Sequence, residues 1–183
     1  MATTAQRWRH LAGEFTRRVE SVTPDQWERP APCEGWIARD VVRHMTDWMP
    51  TLFLTSVELP LPVHPSVDLD PAGAWQAVDR DIQAALDNTN TAQRMTNTRA
   101  GRMTLEQLVA MTGLMDVLIH TWDLARATGQ DETLDAAEVH AFLHGIEPWD
   151  AALRSSGHYG PRTPVPPDAD EQTRLIAFTG RQP

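Results

Sequence analysis

The segment from Thr104 to Gly129, TLEQLVAMTGLMDVLIHTWDLARATG, constrains this chain more than any other stretch. Thr104 followed three residues later by Gln107 is a capping box, which predicts a helix start. Gly129 is placed to end the helix in a left-handed turn. Between them, Leu105, Val109, Thr112, Asp116, Ile119 and Asp123 form a row at alternating steps of three and four. Met111, Met115 and Leu118 fill a neighbouring row. A helix that is apolar around so much of its circumference belongs at the centre of a bundle, so other helices must surround it.

The same spacing finds those helices. Trp8, Leu11, Ala12, Phe15 and Val19 predict a first helix over residues 3–21, stopped before Pro24. Val41, Met45, Trp48, Met49 and Leu52 predict a second over 37–57, with Pro50 late enough to kink or shorten it. Trp75, Val78, Ile82 and Leu86 predict a third over 71–88. The central helix is the fourth and residues 135–149 a fifth, with a short amphipathic turn at 173–178. ELPLPVHPSVDLDPAG reads as a crossover connection, NTNTAQRMTNTRAG as a polar loop, and no strand pattern is evident. The expected architecture is all-α: a four-helix bundle with at least one long crossover and short extra helices. It forms one domain over 1–183 whose last part, from about residue 157, is a proline-rich tail.

Charge narrows the partners. A net charge of −9 supplies no basic footprint for nucleic acid or an anionic membrane, so neither is expected. The first twenty residues lack the apolar core of a signal peptide, and no apolar run approaches the ~18 residues of a membrane span. Cys33 is the single cysteine, so no internal disulfide can form and a reducing cytoplasm is the expected setting.

Against this background the polar residues of the central helix stand out. Asp116 and His120, at i and i+4, project side by side with Cβ atoms ~5–6 Å apart. A carboxylate there needs a partner, because burying one alone costs several kcal/mol, of order the penalty for an unpaired charge. Arg43 or Arg126 would serve. So would a metal ion held by Asp116 and the neutral ring of His120, with His44, beside the apolar stripe of the second helix, as the third ligand. Two histidines and a carboxylate with one position open is the ligand set of catalytic zinc sites and also suits iron or nickel. A rival pair, His140 and His144, also lies at i and i+4, with Glu147 three further on. Phe142 and Leu143 would take the inward face there, leaving the histidines solvated and able at most to bind metal weakly. Cys33 is a candidate nucleophile if a nearby helix start lowers its pKa. His10, His64 and His158 sit in polar or loop contexts and are given no role.

Three stretches, PCEGWIARDVVRHM (32–45), DVLIHTWDLARATGQ (116–130) and the tail PVPPDADEQTRLIAFTGR, resemble the DinB/YfiT-like metalloproteins. The nearest group is the actinobacterial branch related to the N-terminal domain of mycothiol-dependent maleylpyruvate isomerase. The resemblance implies the same four-helix bundle. It also implies a metal triad of a histidine after the GW..RD segment and an acidic residue and histidine in an E-x-x-x-H arrangement, here His44, Asp116 and His120. The usual glutamate is Asp116, one methylene shorter. The resemblance further implies a divalent metal, zinc with nickel or iron as alternatives, and mycothiol or a related thiol as cofactor. The activity it points to is a thiol S-transferase or isomerase acting on a small electrophile. The alternative is a metal-binding or small-ligand-binding bundle without turnover. In the isomerase a second domain adds a substrate-contacting arginine, so maleylpyruvate isomerisation itself is not expected here. A homodimer is allowed, and no sequence feature fixes the oligomeric state.

Overall fold

The computed structural model describes residues 2–98, 101–155 and 160–183; His158 and the first residues of the tail lie outside them. Helix α1 spans Thr4–Glu20, α2 Ala38–Phe53 and α3 Pro71–Asp87. A short α4, Thr89–Ala92, precedes strands β1, Met95–Thr98, and β2, Gly101–Thr104. Helix α5 runs continuously over Leu105–Thr128. Then come α6, Ala136–Ile146, α7, Asp150–Ser155, and α8, Glu171–Phe178.

Helix α1 packs on α3 and α5, and α2 packs on the same two, so the four long helices close a ring with α1 and α2 on one diagonal. The apolar stripes meet inside it. Trp8, Phe15, Trp75 and Phe53 are fully buried, with Phe15 edge-on to Trp75 at 4.8 Å and Trp8 edge-on to Phe53 at 6.4 Å. The indole N–H groups buried with them find acceptors: Trp8 donates to Asp79 Oδ1 and Trp75 to Thr16 Oγ1, each at 2.8 Å. Such partners are what allow tryptophan into a core.

Helix boundaries follow local chemistry. Thr3 and Gln6 cap α1 reciprocally, and Thr104 and Gln107 do the same for α5. Gly129, at φ 73°, ends α5. Ile37 has no acceptor to offer at the start of α2, but Asp40 Oδ2 accepts from the Ile37 N–H at 3.0 Å, which leaves half of a capping box. By length and composition α5 could cross a membrane; 78 % of its most apolar stretch is buried within the bundle, as expected of its central helix.

Four expectations are corrected. The polar segment before α5 is not only a loop: β1 and β2 pair antiparallel, Met95 opposite Thr104. Threonine is β-branched and tolerates strands, but four-residue strands are too short for alternation to register. The second helix stops at Phe53, and Thr55–Val57 is a 3-10 turn. Leu52, assigned to its stripe, is exposed. Within α5, Val109–Gly113 forms a π turn. The wider turn shifts the register and turns Met111 outward, so it does not join Met115 and Leu118 in the core. Gly113 lets this turn approach its neighbours closely, since a Cβ there would lie 2.8 Å from the Phe53 ring.

The C-terminal part is bound in as well. Helix α8 packs on α6 and contributes Leu175 and Ile176 to the core. Arg154 and Arg162 lie over the Phe178 ring at 4.6 and 4.3 Å. Gly180, at φ 87°, then reverses the chain: its N–H donates to the Ala177 carbonyl, and that of Arg181 to the Ile176 carbonyl. This glycine-dependent turn aims Arg181 back toward the bundle.

Candidate metal centre

Helix α2 contributes His44 and α5 contributes Asp116 and His120 where the two helices pack. His44 Nε2 lies 3.3 Å from Asp116 Oδ2, and His120 Nε2 lies 3.6 Å from Asp116 Oδ1. The ligand atoms of the three residues all fall within 4.8 Å of one another. Two donors bound to one tetrahedral ion at about 2.1 Å are themselves about 3.4 Å apart, so this spacing fits a shared ion without rearrangement of either helix. His120 is buried, while His44 and Asp116 keep about a third of their side-chain surface, at 32 % and 28 %. The centre is therefore reachable from one side.

The far side of His120 is held by a second carboxylate. Its Nδ1 lies 2.8 Å from Asp123 Oδ2, off the line of a well-directed hydrogen bond, which leaves that nitrogen formally unpartnered. A modest rotation of the ring would align it. Asp123 is fully buried and is gripped by Arg181, whose Nε and Nη2 each donate to one of its oxygens at 2.7 Å. Burial pushes the Asp123 carboxyl up; the His120 imidazole in contact with it and the two hydrogen bonds from Arg181 overcome it and hold the group at about 2. Burial likewise lowers the Arg181 guanidinium, and the bond to Asp123 outweighs it, so the net shift is upward. Burial raises Asp116 too, but the adjacent His120 and the His44 contact carry it below the ordinary carboxylate range. Asp116 and Asp123 are therefore both anionic at neutral pH, one facing each nitrogen of the same imidazole. A ring nitrogen fixed by a carboxylate while the other faces the ion is the usual arrangement behind a metal-bound histidine.

Tryptophans wall the centre. Cys33 to Trp36 form a tight turn closed by the Trp36 N–H on the Cys33 carbonyl, with Gly35 at φ 76°. The turn lays the Trp36 indole parallel to His120, 5.9 Å between centroids, and 5.2 Å from His44. On the other flank Trp48 Nε1 donates to Asp116 Oδ2 at 3.2 Å, which fixes the carboxylate that the shorter side chain presents.

The arginines that could have paired with Asp116 in place of a metal are engaged elsewhere: Arg43 with Asp40 and Asp68, Arg126 with Glu132. Cys33 does not have the low pKa expected of a nucleophile. Burial first, and then the Asp123 charge, push its thiol up to about 12; Sγ lies 3.6 Å from Asp123 Oδ2 and 3.4 Å from Arg181 Nη2. His140 and His144 are exposed on α6, with Leu143 buried beneath them as expected. Sequence reasoning placed Asp123 in the row of Asp116 but gave it no role, and it missed Arg181 and Trp36 altogether. The arginine closing the FTGR turn was the one available signal.

The family model described as the mycothiol maleylpyruvate isomerase N-terminal domain matches residues 8–125. Two uncharacterised proteins from two strains of Mycobacterium tuberculosis are 27 % identical over 172 residues, 91 % of this chain and 91 % of theirs. The crystal structure of a histidine-to-alanine mutant of mycothiol-dependent maleylpyruvate isomerase superposes with a TM-score of 0.53 at 15 % identity, over 83 % of this chain and 75 % of that one. That last likeness is one of fold.

Proposed function

The chain belongs to the family of the mycothiol maleylpyruvate isomerase N-terminal domain, and from that footing we propose that it is a metal-dependent thiol S-transferase or isomerase. It would use mycothiol or a related small thiol against a small electrophilic substrate. The observation that carries the reading is the convergence of His44, Asp116 and His120 from two helices, with Asp123 and Arg181 behind His120. These three side chains would hold a divalent ion, zinc before nickel or iron given two imidazoles and one carboxylate. Such an ion, when bound, lowers the pKa of a thiol brought to it, so that thiolate is available at neutral pH.

This chain's own residues do the rest. Asp123, held by Arg181, would fix the His120 ring and its tautomer by accepting from Nδ1–H, which lies 2.8 Å away. Trp48 holds Asp116 in place through its indole N–H. The faces of Trp36 and Trp48 exclude water on two flanks and offer apolar surface to the electrophile. The protein's thiol takes no part, because Cys33 is protonated and paired with Asp123. The sulfur that attacks comes from the small thiol, which gives up its proton to solvent, and it forms a bond to an electrophilic carbon of the substrate. In transfer the substrate's leaving group, chloride from a chloro-aromatic, departs with the electron pair of the bond that breaks. In isomerisation the thiolate adds to a double bond and leaves again after rotation about the resulting single bond. A thiol co-substrate and a free Cys33 both suit a reducing cytoplasm.

The test uses tag-free protein, stripped with chelator and reloaded with zinc. Reloaded protein should conjugate mycothiol to a chloro-aromatic or bimane electrophile; chelator should abolish the rate and added metal restore it. A thiol truncated to its cysteine part should react poorly, since remote binding energy positions the sulfur. Calorimetry that showed no thiol binding to the loaded protein, with no turnover across a panel of electrophiles, would remove the transferase reading. A metal-binding or ligand-binding bundle without turnover would stand in its place.

A further inference from the structure

A second set of ligating side chains lies outside the centre described above. His140 and His144 sit one turn apart on α6, and Glu171 is the first residue of α8. His140 Nδ1 is 3.0 and 3.1 Å from the two Glu171 oxygens, and His144 Nε2 is 3.0 Å from Glu171 Oε1. The two imidazole centroids are 4.4 Å apart, and the three donor atoms fall within 4.8 Å of one another. Two rings thus converge on one carboxylate from a different helix.

The groups are fixed from below. Val139 and Leu143 bury the inner face of α6, and Leu175 and Ile176 anchor α8 in the core. The donors therefore stand on packed helices and need little ordering to receive an ion. A second carboxylate lies near the other nitrogen of His144, with Glu147 Oε2 3.8 Å from Nδ1. Glu147 is itself held by Arg174 at 2.9 Å. The contact of His144 with Glu147 is longer and more exposed than that of His120 with Asp123, and it places a further arginine-held carboxylate near the pair without a hydrogen bond. Two carboxylates, Glu147 and Glu171, against the single guanidinium of Arg174 place the two imidazoles beside negative charge that is open to solvent.

We propose that His140, His144 and Glu171 form a second site, for one divalent transition-metal ion at the protein surface, which clamps α6 to α8. Two imidazoles and one carboxylate select zinc, nickel or copper and disfavour magnesium and calcium, which want oxygen ligands only. Because α8 ends in the turn that delivers Arg181 to Asp123, an ion here braces the segment that supports the first centre. The site does not depend on the function proposed above.

Titration of tag-free, metal-stripped protein with nickel, followed by calorimetry, tests it. Replacing both His140→Ala and His144→Ala should lower the stoichiometry by one ion per chain, whatever the first centre holds. Glu171→Gln, of the same shape but uncharged, should weaken this ion by about tenfold or more. The double variant His44→Ala/His120→Ala should retain the surface ion with unchanged affinity, which separates this site from the first. Should that variant not fold, the comparison of wild type with the exposed α6 pair decides alone. Equal stoichiometry and affinity in wild type and the α6 double variant, up to about 0.1 mM nickel, a threshold for millimolar-or-weaker contacts, would overturn the proposal.

Discussion

Arg181 grips Asp123 through two parallel hydrogen bonds of 2.7 Å, across 58 residues of sequence. The carboxylate is fully buried and the arginine side chain is 16 % exposed. Breaking such a pair from one side leaves the other charge buried and uncompensated, at about 3–5 kcal/mol. Arg181→Met should therefore lower the unfolding free energy by about that amount in urea. It should also weaken metal binding at the first centre by about 10–100-fold, the usual effect of losing support behind a ligand, read by chelator competition. Unchanged metal affinity in a folded Arg181→Met protein would mean that the pair is structural only.

Acid should act through the same carboxylate. Asp123 titrates at about 2 in the fold against an ordinary 3.8. A depressed folded value stabilises the protein above the unfolded value and is lost as pH falls from about 4 to about 2; the difference corresponds to about 2 kcal/mol. Urea midpoints of metal-free protein should drop across this window, and Asp123→Asn should show a shallower drop over the same range. Parallel curves for the two proteins would count against this assignment.

Asp116 is the shortened member of the first centre. Asp116→Glu should keep or tighten metal affinity, and Asp116→Asn should lose at least about 100-fold, more than an outer-shell change would. Trp48→Phe, which removes the indole donor to Oδ2, should fall between them. Equal affinity for wild type and Asp116→Asn in competition with a chromogenic chelator would exclude the carboxylate as a ligand.

Cys33 should be inert. A thiol pushed up to about 12 carries about a thousandth of the thiolate of an ordinary cysteine, so iodoacetamide at about pH 8 should label it at least about 100-fold more slowly than a free thiol. Denaturant should abolish the difference. Cys33→Ala should leave thiol transfer unchanged; a rate that depended on Cys33 and ignored chelator would point instead to covalent catalysis by the protein.

Local chemistry made much of the molecule legible in one dimension. The capping pairs Thr3–Gln6 and Thr104–Gln107, the stop at Gly129 and the buried stripes of α1, α3 and α5 are set by residues within a turn or two of each other. Asp116 and His120 belong to that class, because one helix carries both. His44 could be named as the third member through its place beside a stripe and through the resemblance, but its 3.3 Å approach to Asp116 is a property of how α2 packs on α5. What only the tertiary structure decided is of longer range. It brought Arg181 to Asp123, Trp36 onto His120 and Glu171 between His140 and His144, and it sent Arg43 and Arg126 to other acids. It also set the π turn and the β1–β2 pair. The reason is physical: periodicity and capping report which face of a segment is buried, whereas the choice of partner for that face is made by the summed packing of the whole core, to which no single stretch of sequence has access.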